Sequence, residues 1–351
     1  MKDSLGLGLM SGTSLDGLDL ALCRFRMIRG KVNYQILDAQ TVSYSNQVES
    51  FLKSAHQLSA RDFLEFNVTY GQFLAKSCNQ FIKKTKVHPH FIASHGHTIF
   101  HEPVKGFTTQ IGCGATIAAN TGLTTICDFR SLDVALKGQG APLVPIGDEL
   151  LFGDFAACLN IGGIANISFK KNGKRIAYDI AIANIALNYL CQKLSLPYDK
   201  NGLIARENGL DLYLLSTLNQ LPYYVKKGAK SLGREDFEKS IQPLVNKLDL
   251  KNAISTFTHH LAEQIALNLD KHKIPEVLCT GGGTHNQFLI ELIQAKTQCR
   301  LIVPDRLIID FKEALIFAFL GYLRLNGQTN TLKSVTGARR NSVGGAVYSG
   351  R

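Results

Sequence analysis

Long apolar runs and an export signal are both missing from this chain of 351 residues. No apolar segment approaches the roughly 20 residues that a membrane-spanning helix needs. The chain also enters a Gly-rich strand almost at once, without the pattern of a signal peptide. Eight cysteines are scattered without a CxxC pair or a zinc-like cluster, so we expect reduced, buried thiols. These absences predict a cytoplasmic protein with no membrane partner.

Several signatures of nucleotide and nucleic-acid chemistry are missing as well. The sequence has no GxxxxGK[ST] segment, which argues against a P-loop enzyme, and no HRD or DFG, which excludes a protein kinase. No basic stripe is interleaved with aromatic residues, so no nucleic-acid partner is expected. The formal net charge of +11 fits attraction of small anions such as nucleotides. With 45% hydrophobic residues at this length, two domains are expected.

The chain opens with two apolar runs, 5–10 and 18–23, around a turn of small and polar residues. This pattern predicts a β-hairpin. The turn at 11–17 offers a phosphate flexible glycine backbone and the hydroxyls of serine and threonine. Asp16 and Asp19 could hold a hydrated Mg²⁺. An ordinary hairpin with a polar turn explains the same pattern equally well.

The design of strand, glycine turn and strand returns about 150 residues later. Residues 156–159 and 164–169 are apolar, and Asn160-Ile161-Gly162-Gly163 forms the turn between them. The repeat indicates two related halves. A third glycine turn, Gly281-Gly282-Gly283, follows a strand at 276–280 and precedes a helix at 288–295. A strand, three glycines and a helix N-terminus favour a nucleotide site, since a tight turn alone rarely needs three glycines.

Two acids stand at predicted helix starts. Asp179 ends a strand at 175–179 before a helix at 183–194, and Glu313 lies in the first turn of an apolar helix at 312–325. An acid at a helix N-terminus interacts favourably with the helix dipole and stabilises the helix by ~0.3–1 kcal/mol, which is sufficient reason for its presence. The same field would lower the pKa of Asp179, keep it ionised and suit it to act as a general base. Position alone does not decide between these interpretations.

Two histidines follow the predicted strand at 91–94. His95 and His97 lie two residues apart and share a face, as a metal pair would, but no third ligand is nearby in sequence. We therefore expect a hydrogen-bonding loop at a strand end, where α/β sheets bind ligands.

Short motifs extend these features into a family resemblance along the whole chain. An α/β chain with two glycine-turn hairpins and a late triple-glycine turn has the layout of actin-like, sugar-kinase and Hsp70-type ATPases. The sequence resembles the anhydro-N-acetylmuramic acid kinase family through ten segments: MSGTSLDGLD (10–19), SHGHT (94–98), QIG (110–112), DFR (128–130), GQGAPLVP (138–145), LNIGGIAN (159–166), GRED (233–236), GGGTHN (281–286), KEAL (312–315) and SVTGA (334–338).

The resemblance implies an α/β fold of two actin-like (ribonuclease H-like) ATPase domains around a nucleotide cleft. The expected domains are 1–127 with 334–351, and 128–333. It also implies a cytoplasmic homodimer that uses ATP and water to open the 1,6-anhydro ring of anhydro-N-acetylmuramic acid and to phosphorylate O6, a step in cell-wall recycling. The product is N-acetylmuramic acid 6-phosphate.

Roles for individual residues follow from the same resemblance. Asp179 is the expected general base for the attacking water, and Asp16 is expected to hold Mg²⁺ through water. The sugar is expected near His95, Arg130, Asn184 and Glu313. The residues expected to bind ATP are Gly12, Thr13, Ser14, Leu15, Asp16, Gly17, Leu18, Asp19, Asn160, Gly162, Gly163, Gly281, Gly282, Gly283 and Asn286.

The chain departs from the family pattern after Asp179. The family usually continues with Thr-Gly-Pro-Gly-Asn, whereas this chain reads Ile180-Ala-Ile-Ala-Asn184. His97 also replaces a common Gln, and Leu232 a common Thr. The altered loop leaves two alternatives open: a kinase of the same fold for another sugar, or a non-catalytic nucleotide or sugar sensor.

Overall fold

The computed structural model describes residues 3–12, 15, 17–226 and 230–350. Within this part of the chain the strands are β1 (Ser4–Ser11), β2 (Leu18–Ile28), β3 (Lys31–Val42), β4 (Phe91–Ser94), β5 (His97–Glu102), β6 (Phe107–Ile111), β7 (Thr124–Cys127), β8 (Ala157–Ile161), β9 (Ile164–Lys171), β10 (Lys174–Ile182), β11 (Glu276–Thr280), β12 (Arg300–Ile302) and β13 (Ala346–Tyr348).

The helices of the same part of the chain are α1 (Asn46–Ser54), α2 (Ala60–Thr85), α3 (Gly114–Thr121), α4 (Ser131–Ala135), α5 (Pro145–Leu150), α6 (Asn184–Lys193), α7 (Leu203–Glu207), α8 (Leu212–Asn219), α9 (Pro222–Val225), α10 (Arg234–Asp236), α11 (Gln242–Val245), α12 (Leu250–Lys271), α13 (Gln287–Lys296), α14 (Arg306–Leu325) and α15 (Lys333–Thr336). None of these helices combines the length and apolar character that a membrane crossing requires.

The chain forms two compact units. Unit 1 contains Met1–Phe152 and Phe311–Arg351, and unit 2 contains Gly153–Asp310. These junctions differ from the predicted domain boundaries at 127/128 and 333/334, which stay predictions. The segments at 128–152 and 311–333 belong to unit 1 because they pack on its sheet. At Gly8 of β1, for example, an added Cβ would lie 1.9 Å from the carbonyl oxygen of Ala314 in α14.

Unit 1 is built on a sheet with the strand order β13-β7-β4-β1-β2-β3. The first three strands form an antiparallel meander, and β4 and β7 then continue parallel to β1. Apolar side chains of β1 and β2 alternate into a core with α2, and Leu7, Leu20 and Leu74 are fully buried there. This alternation is the reason that the hairpin forms.

Unit 2 repeats the arrangement in its sheet, β10-β9-β8-β11-β12. Strands β8, β9 and β10 form the antiparallel meander, and β11 and β12 run parallel to β8. The central helix α12 lies against this sheet and buries Ile254, Phe257, Leu261 and Ile265 completely.

Five strands of each sheet therefore share one order: the third, second and first strands of the unit, followed by two strands that run parallel to the first. In unit 1, β13 adds an antiparallel strand beside β7. The sequence repeat at the two glycine turns marks the first hairpin of each sheet. This topology confirms the predicted α/β class and the fold of two actin-like ATPase domains.

Two element boundaries correct the sequence prediction. Strand β10 continues to Ile182, because residues 180–183 are apolar and fully buried, so Asp179 lies within the strand and not at the start of α6. Helix α14 begins at Arg306, so Glu313 lies two turns inside it and not in its first turn. The helix-dipole explanation of both acids is therefore removed. The eight cysteines are free, and six of them are buried.

Candidate functional site

The opening turn is described at Gly12, Leu15 and Gly17, with Leu18 and Asp19 already in β2. Thr13, Ser14 and Asp16 lie outside the described residues, so their predicted roles stay predictions. The amide of Leu15 donates to the carbonyl oxygen of Gly12 over 3.2 Å. Gly17 has a φ of +147°, and an added Cβ would lie 2.8 Å from the Val42 carbonyl oxygen. Both the backbone angle and the space therefore require glycine here.

Asp19 does not project from the turn as the sequence suggested. It pairs with Met10 in the β1–β2 ladder, and its carboxylate accepts a hydrogen bond of 2.6 Å from the Thr41 hydroxyl on β3. Among the described residues, no group of three or more His, Cys, Asp or Glu side chains is arranged to hold a metal ion. Because Mg²⁺ usually keeps several waters and takes only one or two carboxylates, the expected site at Asp16 stays a prediction.

A buried hydrogen-bond network lies directly before the turn, around Ser11. The hydroxyls of Tyr44 and Tyr70 donate to Ser11 Oγ over 2.7 and 2.9 Å. With both acceptor positions filled, the serine proton goes to Nδ1 of His97, 2.7 Å away. Burial lowers the pKa of His97 to about 4, which keeps the ring neutral and able to accept. The network fixes the backbone at the start of the turn.

A second group in unit 1 joins His95 and Arg130. Nδ1 of His95 donates to the Gly96 carbonyl oxygen, so Nε2 is free to accept from the Arg130 guanidinium over 2.8 and 3.2 Å. Burial, followed by the charge of Arg130, holds the pKa of His95 well below its usual range. Arg130 also donates to the Gly140 carbonyl oxygen over 2.7 Å. The histidine thus acts as a neutral acceptor that orients the guanidinium.

Glu313 belongs to this group because its charge and that of Arg130 influence each other's pKa. Burial raises its pKa, and the positive charges of Lys312 and Arg130 oppose that rise. Burial likewise lowers the pKa of Arg130 to about 10, and the charge of Glu313 opposes it. The predicted sugar-binding residues His95, Arg130 and Glu313 therefore come together within unit 1.

A buried ion pair supports the same helix. Nζ of Lys312 lies 2.7 Å from Oδ1 of Asp148 in α5, and both side chains are about one-twentieth exposed. The ammonium also lies 5.1 Å from the ring centre of Phe152. The pair fixes α14 against α5 next to Glu313.

In unit 2, the turn at Gly162 and Gly163 caps the start of α6. The amide of Asn184 donates to the Gly162 carbonyl oxygen over 3.2 Å, and the amide of Ala183 donates to that of Gly163 over 2.9 Å. The side chain of Asn184 reaches the Ile161 carbonyl oxygen at 3.5 Å. The predicted residues Asn160, Gly162, Gly163 and Asn184 therefore lie at one end of the sheet.

The triple-glycine turn lies at this same end, after β11. Gly281 has a φ of +85°, and an added Cβ would lie 2.5 Å from Oδ1 of Asn160. At Gly283 it would lie 2.4 Å from the Ile161 side chain, whereas at Gly282 it would meet nothing within 4 Å. The outer glycines are thus explained by packing against β8. Gly282 is exposed, and packing does not explain it.

Asn286 has a structural role that the sequence did not reveal. Its Oδ1 accepts the Leu289 amide over 2.9 Å and caps the N-terminus of α13. Its predicted contact with ATP stays a prediction.

Asp179 lies at a bulge of the edge strand β10, where the register with β9 shifts between residues 179 and 181. Burial raises the pKa of its carboxyl group, and the hydrogen bond from the Leu232 amide only partly offsets that effect. The predicted lowering of this pKa by a helix dipole is therefore wrong. The cause is that Asp179 lies within the strand, where desolvation dominates.

Two chain segments hold Asp179 from outside the sheet. We call them the clasp; its described arms are residues 221–226 and 230–232. The Tyr223 hydroxyl donates to the carbonyl oxygen of Asp179 over 2.6 Å, and the Asp179 amide donates to that of Lys230 over 3.1 Å. The Leu232 amide donates to Oδ2 of the carboxylate over 2.9 Å. The arms are joined because Nζ of Lys230 lies 4.3 Å from the Tyr223 ring centre.

Comparison of the sequence with known proteins identifies its family. The family model described as anhydro-N-acetylmuramic acid kinase matches residues 4–350. The chain belongs to this family. Proteins named anhydro-N-acetylmuramic acid kinase from Legionella pneumophila (strain Corby) and Vibrio cholerae are 32% and 35% identical to it, and each alignment covers 98% of both chains.

Solved structures are more distant. An activator of 2-hydroxyisocaproyl-CoA dehydratase from Clostridium difficile with bound ADPNP has a TM-score of 0.46 and 11% identity, over 92% of this chain and 97% of that one. A similarity of this size adds nothing to the assignment.

The sequence did not predict every residue at the candidate site of this member of the anhydro-N-acetylmuramic acid kinase family. Tyr44, Tyr70 and Tyr223 are aromatic residues in segments without a motif, so no local signal identified them. His97 carried a signal, because it lies in the SHGHT segment and replaces a common Gln. Its contact with Ser11 shows that this position supports the opening turn.

Loss of the Tyr223 hydroxyl tests the clasp. A Tyr223→Phe variant should lower kcat about tenfold, an effect of ~1.4 kcal/mol, with the KM for sugar nearly unchanged. The reason is that Asp179 loses the only side-chain donor to its carbonyl oxygen among the described residues. Tyr224→Phe is the matched control, because its hydroxyl bonds Nε2 of His260 instead. Equal kcat values for both variants in a coupled ADP-release assay would contradict this role.

Proposed function

We propose that this protein phosphorylates anhydro-N-acetylmuramic acid with ATP and water, producing N-acetylmuramic acid 6-phosphate and ADP. The observation that carries the proposal is Asp179. Its carboxylate matches the family's general base, is partly desolvated, and is fixed by the Leu232 amide and the two arms of the clasp. A carboxylate with a raised pKa is well suited to remove a proton from water near neutral pH.

The reaction balances with Asp179 as the base. Asp179 accepts one proton from water, the water oxygen bonds to the anomeric carbon, and the bond between that carbon and O6 breaks. The freed O6 then takes the γ-phosphoryl group, and ADP leaves. We propose that Arg130, which is oriented by His95 and close to the charge of Glu313, binds polar groups of the sugar.

Phosphoryl transfer itself depends on positioning and charge neutralisation. We propose that the turn at 12–19 holds the ATP phosphates and that Asp16 holds Mg²⁺ through water. When bound, Mg²⁺ would neutralise charge on the phosphates. The Ser11 network supports the proposal, because it fixes the backbone at the entrance to the turn.

The triple-glycine turn gives a test of nucleotide binding. Gly282→Ala should keep the fold and raise the KM for ATP about tenfold, because the added methyl obstructs close approach of the backbone to the nucleotide. Gly283→Ala should instead lower stability by ~1–3 kcal/mol, since its Cβ would collide with Ile161. Thermal unfolding and ATP titrations distinguish the two. An unchanged KM in Gly282→Ala would remove this turn from the nucleotide site.

The direct test of the function is turnover. Purified protein with Mg-ATP and anhydro-N-acetylmuramic acid should release ADP and form a 6-phosphate that mass spectrometry detects. No product with this sugar, but turnover of another sugar in a panel, would support a different substrate. ATP binding without ADP release for any sugar would support a sensor. The buried strand that replaces the family's Gly-Pro turn after Asp179 is the reason to include the panel.

We further propose a cytoplasmic homodimer. Free thiols at all eight cysteines fit a reducing compartment, and an ATP-dependent reaction fits the same location. Equilibrium ultracentrifugation tests the dimer.

A further inference from the structure

A small cavity of about 150 Å³ lies in unit 2 beside the clasp. Its walls are apolar at Ile182, Leu232 and Ile241 and polar at Lys226, Asp236 and Ser240. Tyr223 also lines it. Ser240 and Ile241 belong to the π-helical turn Phe237–Ile241. Such turns are rare and are frequently found at functional sites.

The cavity is directly connected to Asp179. Two of its lining residues are the ones that bond Asp179: Tyr223 through its hydroxyl and Leu232 through its amide. A third, Ile182, ends the strand that carries Asp179. A sugar whose anomeric carbon faces Asp179 therefore has its ring substituents close to this cavity.

Two of the residues at which the sequence departs from the family pattern lie together here. Ile182 stands at the position of the usual Pro in the loop after Asp179, and Leu232 stands at the position of the usual Thr. They are about 50 residues apart in sequence, yet both line this cavity. Each replacement supplies a branched aliphatic side chain, so this part of the cavity wall is apolar.

We propose that this cavity is the specificity subsite of the sugar site and receives a methyl-bearing substituent of the sugar ring. This inference rests on the proposed function and adds to it the group that the protein selects. The methyl group packs against Ile182 and Leu232, and its polar neighbours face the rim at Asp236 and Ser240. Oδ2 of Asp236 already accepts the Gly233 amide over 2.8 Å, so that carboxylate is held in place.

In anhydro-N-acetylmuramic acid two substituents have this chemistry, the acetamido group and the lactyl ether. Both place a methyl group next to polar atoms. The charges at the rim are Asp236 and Lys226, of opposite sign. The experiment therefore uses sugar analogues that lack one substituent or the other.

Filling the cavity from its rim is the sharpest test. Ser240 is exposed at the rim, so Ser240→Phe should place a ring in the cavity without disturbing the core. Lys239→Phe is the matched control, because Lys239 lies on the same turn, is exposed and does not line the cavity. Calorimetry measures the Kd of each sugar in the presence of a non-hydrolysable ATP analogue. Binding of the ATP analogue itself checks that each variant is folded.

For anhydro-N-acetylmuramic acid, Ser240→Phe should raise Kd about tenfold or more, and Lys239→Phe should change it by less than about twofold. The analogue that lacks the group bound in the cavity should bind wild type and Ser240→Phe equally. Leu232→Thr keeps the hydrogen bond from the backbone amide of residue 232 to Asp179. It should raise the Kd of the parent sugar about threefold and leave the Kd of that same analogue unchanged.

Three results would overturn the subsite. The first is an equal Kd of the parent sugar for Ser240→Phe and Lys239→Phe. The second is an equal increase in Kd for both analogues when Ser240→Phe replaces the wild type. The third is no binding of the parent sugar to the wild type. Wild-type turnover, measured separately, decides the proposed function. Turnover with equal Kd values in both variants would reject the subsite and keep the function.

Discussion

An Asp179→Asn variant is expected to bind ATP and sugar and to lose turnover by about 10²–10⁴-fold. The amide keeps the size of the side chain, and its oxygen still accepts the Leu232 amide. It cannot take a proton from water at neutral pH, so the attack on the anomeric carbon loses its base. Initial rates of ADP release at saturating substrates measure the loss. Turnover within about threefold of wild type would exclude Asp179 as the base.

The pH dependence of the wild type follows from the same group. Because burial raises the pKa of Asp179, the base becomes protonated at a pH above the ordinary range of aspartate. The value of kcat/KM should therefore fall as pH decreases through that raised pKa. In Asp179→Asn, the small remaining activity should lack this acid limb.

The raised pKa of Asp179 also affects the stability of the fold, in the opposite direction to its effect on activity: Asp179→Asn should lose turnover without losing stability. A carboxyl group whose pKa in the folded protein lies above its ordinary value stabilises the fold below that ordinary value, and this contribution is lost as the pH rises through the pKa of the folded state. At neutral pH the ionised Asp179 is therefore a cost, and Asp179→Asn should unfold at the same or a higher temperature.

Asp249→Ala is the contrasting control. Its carboxylate caps α12, so that variant should lose about 1 kcal/mol of stability and keep its activity. A lower unfolding temperature for Asp179→Asn would contradict the interpretation that burial penalises its charge.

Lys312→Met is expected to destabilise unit 1 by ~3–5 kcal/mol. The methionine retains the apolar stem that packs near Phe152, but the carboxylate of Asp148 loses the ammonium 2.7 Å away in a buried environment. Denaturant unfolding followed by a probe in unit 1 measures the change. Loss of the positive charge should also raise the pKa of Glu313 further, since Lys312 opposes its rise.

The double variant Lys312→Met/Asp148→Leu tests the cause. Removal of both charges should recover most of the lost stability, because the carboxylate of Asp148 is then removed together with the ammonium that compensated it. The exposed pair Lys53–Glu49 is the control, and Lys53→Met should change stability by at most ~0.5 kcal/mol. A cost for Lys312→Met as small as that of Lys53→Met would show that the buried pair contributes little.

Local patterns were sufficient to predict the frame of the fold. Apolar alternation predicted both hairpins, and β4 and β11 have the predicted bounds because each is a short apolar run between polar turns. The turn at Gly281 was recognisable because a tight turn rarely needs three glycines, and the φ of +85° at Gly281 explains one of them. Features of this kind depend on neighbours in sequence.

The environments of the acids could not be predicted in the same way. The groups that contact Asp179 from outside its strand come from Tyr223 and Leu232, more than forty residues later. Burial is the main cause of its raised pKa. Glu313 was misplaced because the first turns of α14 mix charged and apolar residues, so the start of the helix was set too late. Burial by distant segments has no local signature.

The shared strand order of the two sheets is the arrangement that duplication of one ancestral unit would leave. In unit 2, the connection from the third to the fourth strand contains the segment at 194–249, which carries the clasp and most of the residues that line the cavity. That segment could diverge through neutral drift and selection while the glycine turns stayed constrained. Exchange of residues 221–241 between relatives should therefore transfer sugar preference and leave ATP use intact.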